Sequence, residues 1–134
     1  MKTKAVLTVE DTDRILAAAR AEAVANQWAV SIAVVDDGGH LLGLIRLDGA
    51  APLSSHIAPE KARTAALGRR ETKVYEDIIN GGRTSFLSAP TIQGLLEGGV
   101  PVIVNGDVIG AVGVSGVKSD QDAQIAKAGI ASLG

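Results

Sequence analysis

His40 and His56 are the only histidines in the chain, and no cysteine accompanies them. A whole strand and loop separates the two imidazoles, which is not the i, i+4 spacing by which one helix face holds zinc. Without thiols, disulfides, thiolate nucleophiles and cysteine-ligated metals drop out together. His56 is the more promising of the pair. It stands in the polar stretch Ser54-Ser55-His56, three residues ahead of Pro59, near an expected helix start where free N–H groups favour anions. An imidazole there can act as general acid or base or sense a bound anion, the plainer alternative being a loop histidine bonded to backbone. His40 follows Gly38-Gly39 and reads as a solvated strand-start residue.

Three further side chains complete the candidate binding set. Lys61, early in the helix that Pro59 would open, is the cation placed to face a carboxylate ligand, with Arg63, Arg69, Arg70 and Lys73 beyond it. The bland reading of that run is a solvated face with Glu60 and Glu71 as salt partners. Arg46 lies among Leu44, Ile45 and Leu47, so its charge must reach Asp48, a ligand or solvent. Ser115, in Gly113-Val-Ser115-Gly-Val117, misses the nucleophile-elbow pattern because Val117 stands two past the serine, and it is read as a turn residue at the end of a strand. The acidic group Glu71, Glu76 and Asp77 reads as solvated helix carboxylates, and no metal site is expected. Neither a Gly-x-Gly-x-x-Gly after a strand nor a Walker-type lysine is present, so no nucleotide phosphate cradle is indicated.

The elements that must position these residues follow from local chemistry. Thr8-Val-Glu-Asp11 is a capping box opening a helix from Val9 to Asn26, with Ile15, Leu16, Ala19, Ala23 and Val24 at helical spacing. Trp28 to Val35 is β-branched and almost wholly apolar, as a strand covered on both faces would be. Asp36-Asp37-Gly38-Gly39 turns the chain into a returning strand, His40 to Asp48. Gly49 to Ala58 reads as a loop, then Pro59 at a first helical position opens a helix to Leu67. A short helix from Thr72 to Asn80 closes at Gly81-Gly82. Residues 83–99 read as loop with a short strand near Ile92 to Leu96. Val100 to Val104, Asn105-Gly106 and Val108 to Val114 form a hairpin, in which Gly110 and Gly113 signal close approach of a backbone or a ligand. Ser119-Asp-Gln-Asp122 caps a final helix. The order is helix, hairpin, helices, hairpin, helix, in one domain spanning 1–134.

Composition bounds the function classes. The 134 residues suffice for a core burying roughly 65–70% of the surface the unfolded chain exposes. The 46% hydrophobic content is almost entirely Ala, Val, Ile and Leu, with single copies of Trp28, Tyr75, Phe86 and Met1, so the core must pack by close approach of small side chains. A net charge of −2 and the scarcity of aromatic rings give neither the basic patch nor the stacking platforms of a nucleic-acid binder. The N-terminal stretch turns polar at Thr8, so no signal peptide or membrane span is read, and the default expectation is a cytoplasmic protein with no membrane partner.

Four segments together resemble the GlcG/HbpS-like family: Ser31-Ile-Ala-Val-Val-Asp-Asp-Gly-Gly-His-Leu-Leu, Glu60-Lys-Ala-Arg-Thr-Ala-Ala-Leu-Gly-Arg-Arg-Glu-Thr-Lys, Gly98-Gly-Val-Pro-Val and Ile109-Gly-Ala-Val-Gly-Val-Ser-Gly. The likeness runs the length of the chain. It implies a profilin-like α/β (α+β) fold, a central antiparallel sheet flanked by helices on both faces, and a homo-oligomer of two or more copies. In some relatives the domain binds haem, and in others it is joined to corrinoid-related enzymes. Haem-binding relatives use a histidine near the domain start; residues 1–39 hold none here, which leaves His56 or His40 as ligand. The Glu-x-x-Glu iron motif of one relative has no counterpart, Glu71 and Glu76 being five apart.

The resulting expectation is a non-enzymatic small-ligand-binding protein, for haem or another tetrapyrrole or a small carboxylate, associated with glycolate or related small-acid metabolism. Its pocket is expected between the Asp48 to Ala58 loop, the start of the Pro59 helix and Gly110 to Gly116, with His56, Lys61, Arg46 and Ser115 as ligand-binding residues. The rival readings are an enzyme on a small hydroxy or keto acid, with His56 as acid or base and Lys61 or Arg46 holding the carboxylate, and a structural partner of a pathway enzyme.

Overall fold

The computed structural model describes residues 1–134. Helix α1, Val9–Ala25, begins at the expected capping box. The Thr8 hydroxyl accepts from the Asp11 N–H at 3.2 Å, and the Asp11 carboxylate accepts from the Thr8 N–H at 2.9 Å. Hydrogen bonding to Thr8, backbone first and side chain second, holds the Asp11 carboxyl below its ordinary 3.8. Thr8→Ala should cost about 1 kcal/mol of stability in urea denaturation. A carboxyl whose folded pKa is lowered contributes above its unfolded pKa and loses that contribution as pH falls through the folded value. Asp11→Asn should therefore make the acid limb of the stability curve shallower, and an unchanged limb would refute this role of the cap.

Strands β1, Ser31–Asp36, and β2, Leu41–Arg46, form the first hairpin; β3, Gly99–Val104, and β4, Asp107–Ser115, form the second. The sheet order is β2-β1-β4-β3, antiparallel throughout. Asn105 and Gly106 have φ of 51° and 81°, the pair of positive values that a two-residue type I′ turn requires. Alternation along β1 divides the core. Ile32 and Val34 enter a cluster with Ile15, Ala19 and Ala23 of α1 and Ile125 and Ala126 of helix α4, Ser119–Ala131. Ala33 and Val35 face the other way, against Ala58, Ala62, Ala65 and Ala66 of helix α2, Ser54–Gly68. The profilin-like α+β sandwich, with helices on both faces of the sheet, is thus as expected. Helix α3, Thr72–Asn80, has the bounds its sequence predicts. No helix is long and apolar enough to cross a membrane.

Three expectations are corrected. Helix α2 starts at Ser54, so residues 54–58 are helix and Pro59 lies inside it. A turn over Ala51–Leu53 nucleates the helix early: Ser54, Ser55 and His56 donate to the carbonyls of Ala51, Pro52 and Leu53, and near this end proline removes only one ladder bond. No strand forms at Ile92–Leu96; the segment follows a 3₁₀ turn, Thr84–Ser88, and Thr91 takes φ of 67°. Ser119 is the first residue of α4 rather than its cap, and the Asp122 side chain reaches back to the Val117 N–H at 3.2 Å.

Candidate functional site

The end of the sheet beneath the first turn of α2 gathers part of the predicted set. Ser31 lies opposite Arg46 on one side and Ser115 on the other, a row across β2, β1 and β4. The Ser31 and Ser54 hydroxyls lie 2.8 Å apart, and Ser54 donates onward to the Ala51 carbonyl at 2.6 Å. Ser115 is buried and Arg46 is exposed at the outer strand. Arg46 forms no ion pair with Asp48. His56 is on α2 but exposed, and the N–H groups of that helix start are already donated to Ala51, Pro52 and Leu53. The free anion-binding N–H groups expected beside His56 are therefore taken.

Lys61 has a different setting from the one its sequence position predicts. Its side chain is 3% exposed, and Nζ donates to the Asp122 carboxylate and to the Val114 carbonyl, each at 3.0 Å. The carboxylate it faces is the chain's own, on α4 across the sheet from α2. Burial raises the Asp122 carboxyl above its ordinary 3.8, while Lys61 and the Val117 N–H pull it back. Asp122 is the residue that sequence reasoning missed. Its place in a run resembling a capping box hid a buried acid whose partner is 61 positions away. Glu71 pairs with Lys127 of α4 at 3.3 Å, and Lys73 with Asp77 at 2.7 Å, so Glu60 and Glu71 are not the salt partners of the Lys61 to Lys73 run that the solvated-face reading expects. One Glu60 carboxylate oxygen is buried without a hydrogen-bond partner.

The concavity expected between the 48–58 segment, α2 and Gly110–Gly116 is closed, because the backbone of α2 at Ala58 and Ala62 lies directly on Gly113. The clefts are elsewhere. One of about 270 Å³ runs between the start of α1 and β2, lined by Leu7, Val9, Leu16, Leu42 and Leu44, with Thr8, Thr12 and Asp13 as polar members. Another of about 310 Å³ lies where α1 ends, beside Trp28 and Leu47. A third of about 320 Å³ is formed by α3 and the 87–96 segment. His56, Lys61, Arg46 and Ser115 line none of these three.

A four-stranded antiparallel sheet with α1 and α4 on one face and α2 on the other, with apolar clefts at its margins, defines a small α+β sandwich domain. The chain belongs to the HbpS-like family, whose model, described as "Haem degrading protein HbpS-like", matches residues 7–131. It is 60% identical to Protein GlcG of Escherichia coli strain K12 over 115 residues, 86% of this chain and 85% of that one. A crystal structure of HbpS from Streptomyces reticuli, carrying two substitutions, superposes with a TM-score of 0.88 at 34% identity over 100% of this chain and 91% of that one. The crystal structure of a PduOC–haem complex superposes with a TM-score of 0.83 at 31% identity, covering 96% of this chain and 95% of that one.

Proposed function

We propose that this protein is a non-enzymatic binding protein for haem or a closely related tetrapyrrole, its site completed by a second copy of the chain. The observation that carries the reading is the haem complex of a relative that matches 96% of this chain. The α1–β2 cleft fits a macrocycle as a half-site. Leu7, Val9, Leu16, Leu42 and Leu44 give it an apolar wall, Val9 is 72% exposed, and β2 is an edge strand with its outer hydrogen-bonding groups free. An exposed apolar edge of this kind invites a partner subunit. At about 270 Å³ the cleft is below the usual size of sites that enclose a ligand alone. His40 immediately precedes β2, two residues before Leu42 in the cleft wall, and His56 is the other exposed imidazole. Service to glycolate or related small-acid metabolism is part of the proposal and rests on the resemblance to the GlcG/HbpS-like family.

Titrating purified protein with haemin tests the reading. A saturable complex with a Soret band displaced from free haemin is expected, with the band shifted or the affinity reduced in His40→Ala and less so in His56→Ala. Absence of a saturable complex at any protein concentration would overturn the proposal. An unaltered, tight Soret complex in the double histidine variant would overturn the ligation.

A further inference from the structure

The cleft at the end of α1 is built for a different ligand. Its walls include Arg20, Val24, Gln27, Trp28, Leu47 and Asp48, around a volume of about 310 Å³. Two opposite charges line it, yet neither Arg20 nor Asp48 takes part in any of the protein's ion pairs. Both are exposed. The apolar part of the lining is Val24, Trp28, Ala29 and Leu47, of which Trp28 and Leu47 also pack on the main core.

The framework of the cleft is fixed by backbone bonds. Trp28 N–H donates to the Ala23 carbonyl at 2.9 Å, Gln27 N–H to Val24 at 3.1 Å, and Leu47 N–H to Val30 at 2.9 Å. Gln27, just past the helix end, has φ of 60°, a left-handed conformation that costs energy for a residue other than glycine and turns the chain so that Gln27 joins the lining. The negative end of the α1 dipole also points here, which favours a cationic group on the ligand.

We infer that this cleft binds a zwitterionic α-amino acid with an apolar side chain, Arg20 holding the carboxylate, Asp48 the ammonium, and Trp28, Val24 and Leu47 the side chain. A simple anion would meet Asp48 as well as Arg20, and a simple cation the reverse, so only a ligand carrying both charges satisfies both walls. Gln27 adds an amide able to donate to the carboxylate or accept from the ammonium. The cleft shares no lining residue with the α1–β2 cleft proposed for the tetrapyrrole.

Trp28 is the only tryptophan of the chain, so its fluorescence reports on this cleft alone. Titration with L-leucine, checked by calorimetry, should saturate with a dissociation constant between about 10 µM and 1 mM, appropriate to an open site with a few charge-assisted contacts. Leucic acid, which lacks the ammonium, and isoamylamine, which lacks the carboxylate, should each bind about tenfold more weakly or worse. Arg20→Gln and Asp48→Asn, both at exposed positions and checked for folding by circular dichroism, should weaken L-leucine to the same degree. No fluorescence or heat signal up to about 10 mM would overturn the inference. So would unaltered affinity in both variants, or leucic acid binding as tightly as L-leucine.

Discussion

Lys61→Ala should lower stability by about 3–5 kcal/mol, because it strands a buried carboxylate. Asp122 is 3% exposed at its side chain and would keep only the N–H of Val117 as a partner. For a chain of this length such a loss corresponds to roughly 10–20 °C in the melting midpoint. The pair itself is not worth that much, since both charges were taken from water to form it. Replacing both partners by apolar groups in K61M/D122L should come within about 1 kcal/mol of the parent or exceed it. Urea denaturation of the parent, K61M, D122L and K61M/D122L forms a complete cycle, beside which Lys61→Ala measures the stranded carboxylate. A cost below about 1 kcal/mol for Lys61→Ala would mean that the pair is not desolvated, and the stranded-charge explanation would fail.

The pH dependence of the same variant carries a sign that separates a stranded charge from simple cavity formation. Burial raises the Asp122 carboxyl, and Lys61 opposes the rise. Removing Lys61 takes away the opposing attraction, so the folded-state value climbs further above the unfolded one. In the window between those two values the folded state binds the extra proton, and stability increases as pH falls. The deficit of Lys61→Ala should therefore shrink on going from about pH 7.5 to about pH 4.5. Half-buried Asp37 runs the other way: its hydrogen bond from Lys4 holds its carboxyl below the ordinary value, so its contribution is lost as pH falls through that lowered value. A deficit independent of pH would assign the loss to packing alone.

How legible the chain is depends on the range of the interactions involved. Thr8 with Asp11, Asn105-Gly106 and Gly81-Gly82 act within a few residues, and the helix start, the hairpin turn and the end of α3 lie where those residues place them. Pro59 misled for an equally local reason. A proline suits a first helical position because it lacks an N–H, but the turn at Ala51–Leu53 had already begun the helix. Ile92, Leu95 and Leu96 look like strand residues, yet the Gly94 N–H between them donates to the Thr64 hydroxyl at 3.0 Å. That bond ties the segment to α2 and keeps it out of the sheet. The placement of Lys61 rests on Asp122, and no periodicity or cap connects residues so far apart. The Arg20, Trp28 and Asp48 cleft was equally hidden, because each residue alone has an ordinary local role.

Gly113→Ala should be among the most damaging single-methyl additions the chain can receive, costing about 3 kcal/mol or more, at or beyond the usual upper end for overpacking. A Cβ there would overlap the Ala58 carbonyl oxygen and stand 2.5 Å from the Ala62 nitrogen. Both are backbone atoms of α2, so no side-chain rotation relieves the clash and the helix itself must lift. The layer between helix and sheet is made of Ala58, Ala62, Ala65 and Ala66 of α2 against Ala33, Val35 and Ala111 of the strands, which hold contact only at short range and lose it together when the helix moves. Strand propensity predicts the opposite sign, since alanine loses less backbone entropy than glycine on folding, and the measured direction decides which effect governs. Gly43 on β2 supplies the comparison: a Cβ there meets the Thr12 methyl at 2.9 Å and a Leu16 methyl at 3.0 Å, side-chain atoms of which the Leu16 end can turn aside, while Thr12 is held by the bond from its hydroxyl to the Thr8 carbonyl. Gly43→Ala should cost about 1–2 kcal/mol, less than Gly113→Ala. Lifting α2 also draws Lys61 away from Asp122, so Gly113→Ala and Lys61→Ala should combine to less than the sum of their separate costs. Strict additivity in that pair would show that the glycine contact and the ion pair hold α2 independently.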